Sequence, residues 1–136
     1  MSQSAPISGE TLRRLFENAR VGILVANDNG TYVEANEAAC AFFGGTREDV
    51  IGASIADFIE PSRAVALRAQ WNSFLSDGHQ SGEFEIRGLD GMSRVVRFDA
   101  TANFSRGLHC SFLTSGGSDG KVSSRSGSET AKTKRR

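Results

Sequence analysis

Four side chains in this sequence are of the types that bind metal ions or attack substrates, namely Cys40, Cys110, His79 and His109. Zinc sites need cysteines and histidines at paired ligand spacings, and this sequence has no such arrangement. Both cysteines fall on predicted apolar faces, far apart in the chain, which is typical of small buried side chains and not of a disulfide. The sequence therefore predicts no metal site.

Paired carboxylates are the other candidates for chemistry, since Glu83 and Glu85 share one face of a predicted strand. That face should be the solvated one, which makes them ordinary surface charges. The sequence also lacks a glycine-rich phosphate loop, a Gly-x-Ser-x-Gly elbow and a kinase signature. We therefore expect no catalytic residues and no enzyme activity.

The chain has 136 residues, enough for one domain, and a formal net charge of zero. This zero is the sum of two regions of opposite charge, since residues 1–115 carry a net charge of −4 and residues 116–136 carry +4. We divide the chain into a flexible N-terminus (1–9), a folded domain (10–115) and a disordered basic tail (116–136). A solvated terminus is the default interpretation of such a tail, so we expect no nucleic-acid partner.

The first ten residues lack the basic start and apolar stretch of a secretory signal. No segment of the sequence approaches membrane-spanning length. We therefore expect a cytoplasmic protein without a membrane partner.

The first half of the folded region predicts a β-hairpin that runs into a short helix. The apolar runs 21–26 and 31–35 predict two strands, and residues 28–30 supply the Asp, Asn and Gly that tight hairpins favour. Asn36 is a typical N-cap for the helix that follows, and the glycines at 44–45 predict its end.

Helical spacing predicts two longer helices. An amphipathic helix is predicted over residues 10–19. The longest helix is predicted over residues 62–76, and Asp77-Gly78 after it marks its end. Short helical turns over 47–51 and 55–59 lie between them. The longest helix presents one apolar stripe, made of Leu67, Trp71, Phe74 and Leu75.

Alternating apolar residues predict three further strands and their inward faces. Together with the hairpin they give an α+β fold, a five-stranded antiparallel sheet with helices on one face and a flanking N-terminal helix. The predicted inward sets are Phe84 and Ile86; Val96, Phe98, Ala100, Ala102 and Phe104; and Leu108, Cys110 and Phe112. His109 and Ser111 are predicted to face outward.

The order of these elements resembles the PAS domain family over residues 11–114. The hairpin leading into a capped helix is the family's entry signature, and Val50-Ile51-Gly52 and Asp57-Phe58-Ile59-Glu60-Pro61 follow at the usual spacings. Asn27 stands where the family often has aspartate. The resemblance implies a PAS-like fold and a role as a signal-sensing module in signal transduction or transcription regulation.

The resemblance also indicates which cofactors to expect. Flavin-photosensing relatives carry a cysteine in a short motif before the position of Pro61, whereas residues 55–59 contain none. Haem-binding relatives ligate iron through a histidine on the long helix, and residues 62–76 contain none. His79 falls in the loop after that helix. The sequence therefore argues against haem, argues more strongly against a covalently photoreactive flavin, and leaves the cofactor unknown.

Many PAS domains bind a small molecule between the long helix and the sheet, and two inward alanines leave room for one here. An apolar or aromatic molecule would suit the predicted lining. The alternative is that the phenylalanines fill the interior and leave no ligand site. The predicted ligand-binding residues are Phe43, Phe58, Trp71, Phe74, Leu75, Phe84, Phe98, Ala100, Ala102, Cys110 and Phe112.

Partners are predicted from the exposed apolar positions and from the end of the last strand. Leu12, Leu15, Phe16 and Val95 are the expected contacts of a homodimer. Gly116-Gly117 disfavours a rigid coupling helix after the last strand. We therefore expect either a domain that acts on a partner in trans, such as a kinase or transcription regulator, or a fragment of a larger sensor whose output domain is missing. The alternative to a ligand sensor is a ligand-free dimerisation module.

Overall fold

A computed structural model describes residues 8–116 of the chain. The predictions made for residues 1–7 and 117–136 lie outside this range. Within it, the elements follow the order α1 (Gly9–Asn18), β1 (Gly22–Asn27), β2 (Tyr32–Ala35), α2 (Glu37–Phe43), α3 (Arg47–Val50), two 3-10 turns (Ile55–Phe58 and Pro61–Arg63), α4 (Ala64–Asp77), β3 (His79–Arg87), β4 (Ser93–Ser105) and β5 (Leu108–Ser115).

The strands of residues 8–116 form one five-stranded sheet in the order β2-β1-β5-β4-β3, and every neighbouring pair is antiparallel. The first and last strands of the chain order therefore meet in the middle of the sheet, where β1 pairs with β5. The predicted α+β fold is confirmed. No helix in residues 8–116 is long and apolar enough to cross a membrane.

The turn between β1 and β2 is stabilised by Asn27. Its Oδ1 accepts hydrogen bonds from the backbone N–H groups of Asn29 and Thr31, at 3.0 and 3.1 Å. Gly30 has a φ of +80°, the left-handed conformation that glycine adopts without steric cost. Asn27 thus supplies the side-chain acceptor that closes an Asx-type turn.

Asn36 is fully buried and joins three elements. Its Oδ1 accepts from the N–H of Ala39, which caps α2 as predicted, and from the N–H of Ile23 in β1. Its Nδ2 donates to the carbonyl oxygens of Phe16, in α1, and Val21. A single amide therefore makes four hydrogen bonds at 2.9–3.0 Å and holds the flanking helix, the first strand and α2 together.

The predicted faces of β5 are reversed in the structure. His109 and Leu113 are buried, whereas Phe112 is 46% exposed on the outer face of the sheet. The register explains this, because Ser111 pairs with inward Ala100 and Leu113 pairs with inward Phe98. The apolar alternation was misleading because the outer face is apolar here as well.

The end of β4 also departs from the predicted alternation. Phe104 is 52% exposed, although it was predicted to face inward. The pairing of β4 with β5 shifts between Thr101 and Ser105, and Asn103 within this irregularity has a φ of +54°. Between these two pairs β4 advances four residues while β5 advances two, so the ladder is interrupted here and Phe104 does not continue the inward alternation.

The long helix α4 packs loosely on the inner face of the sheet. Phe74 is its buried residue, while Leu67, Trp71 and Leu75 of the predicted stripe are half-buried. A 3-10 turn over Pro61–Arg63 precedes the helix, so α4 begins slightly later than predicted. Loose packing leaves space between α4 and the sheet.

Candidate ligand-binding site

A cavity of about 150 Å³ lies between α4 and the inner face of the sheet. Its floor comes from all five strands of the sheet, and its roof comes from the segment that leads into α4 and from α4 itself. An engineered cavity of about this volume in another protein binds benzene. Phe84 and Phe98 line this space and do not fill it, which favours a ligand site over an interior filled by phenylalanines.

The predicted lining residues fall into three groups. Trp71, Phe74, Phe84, Phe98, Ala100 and Cys110 line the cavity. Phe43, Phe58, Ala102 and the half-buried Leu75 belong to the core beside it. Phe112 does neither, since it lies on the outer face. Cys110 borders the cavity although its strand position places its side chain on the outer face, since it pairs with the outward residue Thr101.

Sequence analysis missed most of the polar residues in the cavity wall. Helical spacing could have found Gln70, which lies one turn before Phe74 on the same face of α4, and Arg63, the N-cap of that helix, which lies four residues before Leu67. Strand alternation could have found Gln80, which has the same parity as Phe84. The lining residues missed are Leu24, Ala26, Tyr32, Ile55, Ile59, Arg63, Ala66, Leu67, Gln70, Gln80, His109, Ser111 and Leu113.

His109 is 3% exposed, and both of its ring nitrogens are hydrogen-bonded. The N–H of Asn103 donates to Nδ1 at 2.9 Å, so Nδ1 is an acceptor and the proton is on Nε2. Nε2 in turn lies 2.8 Å from Oδ1 of Asp28, to which it donates. Because both nitrogens are engaged, His109 forms part of the cavity wall and presents no free nitrogen to a metal ion.

Asp28 also holds the aromatic residue that closes this end of the cavity. Its backbone oxygen accepts a hydrogen bond from Nε1 of Trp71 at 3.3 Å. The Trp71 and His109 rings meet edge to face, with centroids 5.5 Å apart, and Phe74 completes the cluster. The β1–β2 turn, β5 and α4 are therefore linked through two hydrogen bonds to one residue.

Tyr32 is a buried residue of the cavity lining, and it carries a hydroxyl group. The residue is 8% exposed, and its hydroxyl has no hydrogen-bond partner within residues 8–116. Burial, together with the negative charge of Asp57, raises the pKa of Tyr32 far above its ordinary value. The phenol therefore stays protonated and has a hydrogen to donate.

The other polar residues of the wall differ in their pairing. Gln70 and Gln80 bond to each other, with Nε2 of Gln70 donating to Oε1 of Gln80 at 3.0 Å. Arg63 is exposed and, as far as residues 8–116 are concerned, its guanidinium forms neither an ion pair nor a hydrogen bond. Among the described residues that line the cavity, Arg63 is the one with a formally charged side chain.

The remaining candidates for chemistry lie away from the cavity or are unreactive. Burial raises the pKa of the Cys40 and Cys110 thiols, which keeps both protonated. His79 is on the outer face of the sheet, where Nε2 lies 2.7 Å from Asp99. Glu83 is likewise on the outer face, paired with Arg97. No group of three potential metal ligands occurs within residues 8–116.

Comparison with known families matches the PAS fold over residues 10–107 of this chain. A PAS domain of an HTR-like protein from Haloarcula marismortui superposes with a TM-score of 0.68 at 26% identity, covering 78% of this chain and 89% of that domain. Sporulation kinase E of Bacillus subtilis is 22% identical over 104 residues. Those residues are 76% of this chain and 14% of the kinase, so this chain spans a small part of that protein.

A third relative has been solved with small molecules bound. The PAS domain of the RpfR quorum-sensing receptor from Cronobacter turicensis is in complex with BDSF in one structure and with C12:0 in another. The two superpose on this chain with TM-scores of 0.60 and 0.61, at 22% and 21% identity. Each comparison covers 72% of this chain and 95% of the receptor domain.

Proposed function

This chain belongs to the PAS family, and from that premise we propose that it is a non-catalytic sensory module that binds a small molecule between α4 and the sheet. The observation that carries the proposal is the cavity of about 150 Å³, which is lined by aromatic side chains and by Tyr32, a buried residue whose hydroxyl has no hydrogen-bond partner within residues 8–116. Interiors are normally packed to the density of organic crystals, so a space of this size at a helix–sheet boundary is a binding site by default. The bound molecules of the RpfR domain support the same interpretation.

The signal leaves the cavity through α4. A ligand that fills the space presses on Leu67 and Trp71, which α4 presents to the cavity. Movement of Trp71 acts on the β1–β2 turn through its hydrogen bond to Asp28, and Asp28 also bonds to His109 in β5. Only a ligand that prefers one arrangement of these contacts can shift the equilibrium between them. The domain passes the signal to a separate protein, such as a kinase or transcription regulator.

Native mass spectrometry of the full chain, purified from its own host, tests the proposal. We expect a bound mass at constant stoichiometry, which denaturing extraction then releases for identification. Protein that carries no small molecule in any preparation, and gains none from a host extract, would contradict a sensory cavity.

The outer face of the sheet favours a second function, homodimerisation. Phe112 and Val95 are 46% and 40% exposed on this face, and Leu12 and Leu15 of α1 are 54% and 59% exposed. Apolar residues exposed on α1 and on the outer face of the sheet are the kind of surface that a protein contact covers. Phe16 is half-buried, with the Arg13 guanidinium 5.1 Å from its ring centre, and contributes less surface.

Leu15→Asp is expected to convert a dimer into a monomer, because it places a charge in the proposed apolar contact. Val65→Asp is the matched control, since Val65 is 83% exposed on α4, outside that contact. Sedimentation velocity at several concentrations gives the mass of each variant. A dimer that survives Leu15→Asp, or that is lost equally in Val65→Asp, contradicts this interface.

A further inference from the structure

The polar groups of the cavity lining indicate the chemistry of a ligand, because they differ in whether they already have hydrogen-bond partners within the protein. Gln70 and Gln80 satisfy each other, and both nitrogens of His109 are bonded within the protein. The hydroxyl of Tyr32 is different, since it is nine-tenths buried and unpaired within the described residues. A buried donor without a partner costs free energy, which a ligand acceptor recovers.

Tyr32 and Arg63 are connected through the same wall of the cavity. The backbone N–H of Tyr32 donates to Ala53 at 2.8 Å, so β2 is fixed to the segment that continues through Ile55 and Ile59 to Arg63. All but Ala53 of these residues line the cavity. The lining therefore includes a neutral donor, the phenol of Tyr32, and a cation without an ion pair within residues 8–116, Arg63.

The size of the cavity limits how much of the molecule it can hold. About 150 Å³ accommodates a ring of the size of benzene with a short substituent, roughly six to ten non-hydrogen atoms. The rings of Trp71, Phe74, Phe84 and Phe98 around it favour edge-to-face contact with another ring. A chain of twelve carbons exceeds this volume.

We propose that the ligand is a compact aromatic monocarboxylate, whose ring occupies the cavity and whose carboxylate is bound by Tyr32 and Arg63. This inference rests on the proposed sensory function and narrows it to one chemical class. Carboxylates accept hydrogen bonds at both oxygens, so one group can receive the phenol and the guanidinium together.

Trp71 is the one tryptophan of the chain and lines the cavity, so its fluorescence reports occupancy directly. The full chain, freed of any retained molecule, is titrated with benzoate, with its neutral isostere benzamide and with dodecanoate. We expect benzoate to bind about tenfold more tightly than benzamide, the effect of one charge-assisted contact. We expect dodecanoate to bind more weakly than benzoate.

Two variants separate the two contacts. Tyr32→Phe removes only the hydroxyl and is expected to weaken benzoate binding about tenfold. Arg63→Gln is expected to reduce the preference for benzoate over benzamide, and Arg68→Gln is its control, because Arg68 is exposed on α4 and does not line the cavity. Thermal melts of each variant verify that it is folded.

Equal affinities for benzoate and benzamide, or equal benzoate affinities in the wild type, Tyr32→Phe and Arg63→Gln proteins, overturn this inference and leave the sensory function standing. Tighter binding of dodecanoate than of benzoate also overturns it, in favour of a longer aliphatic ligand. If no probe changes the Trp71 signal and the host-purified protein retains no molecule, both the inference and the sensory function fail.

Discussion

Ala100→Phe is expected to abolish small-molecule binding. Ala100 is 7% exposed in the middle of β4, and its side chain forms part of the cavity floor between Gln80 and Ser111. The added phenyl ring is as large as the benzene that a cavity of this volume holds, so it takes the place of the ligand. Native mass spectra of the variant purified from its own host should show protein without the bound mass that the wild type carries.

Thr101→Phe is the matched control for this change. Thr101 is the next residue of β4 and is exposed on the opposite face of the sheet. The same ring added there leaves the cavity unchanged, so the bound mass should persist. Retention of the bound molecule by Ala100→Phe, at the wild-type fraction, would place the ligand outside this cavity.

Asn36→Ala is expected to lower the free energy of unfolding by about 3 kcal/mol or more, because it removes four hydrogen bonds from a fully buried position. The loss leaves the N–H groups of Ile23 and Ala39 without the acceptor that Asn36 provides. It also detaches the carbonyl of Phe16, at the end of the flanking helix. Urea unfolding followed by circular dichroism measures the change.

Asn29→Ala serves as the comparison, since Asn29 is exposed in the β1–β2 turn and its side chain makes no hydrogen bond to residues 8–116. A change there should stay within about 0.5 kcal/mol. Asn36→Asp keeps the acceptor oxygen and loses the two donated hydrogen bonds, so it should also lower the free energy of unfolding substantially. If Asn36→Ala costs no more than Asn29→Ala, Asn36 does not hold the three elements together.

Local signals were sufficient to predict most of the fold. The cap at Asn36 and the turn before Thr31 depend on residues a few positions apart, and the structure has both. The alternation around Phe84 and Ile86 was equally clear, because the opposite face of β3 is charged. In these segments the residue types on the two faces differ, so the faces can be assigned from the sequence.

The faces of β5 could not be assigned in this way. Its outward residues Cys110 and Phe112 are apolar because they lie beside Val25 and Ile23 of β1, in the middle of the sheet. Its inward residue His109 is polar and becomes acceptable in the core only through Asp28 and the N–H of Asn103. Both facts depend on long-range pairing and on the bulge in β4, which no local pattern reveals.

The candidate site was predicted in its apolar part alone. Hydrophobic spacing found Trp71, Phe74, Phe84 and Phe98, but it assigns polar residues to the surface by construction. Tyr32 and Arg63 were therefore not predicted as lining residues, although the proposed chemistry of the ligand depends on them. Only the fold brings Tyr32 of β2 and the residue before α4 into the lining of the same cavity.

The central claim is that the space between α4 and the sheet holds a small molecule. A high-resolution crystal structure of the protein purified from its own host tests it most directly. Continuous electron density between Trp71 and Phe98, not accounted for by the chain and within hydrogen-bond distance of the Tyr32 hydroxyl, is the predicted result. A cavity collapsed onto its own side chains, or one holding only water, would contradict the claim.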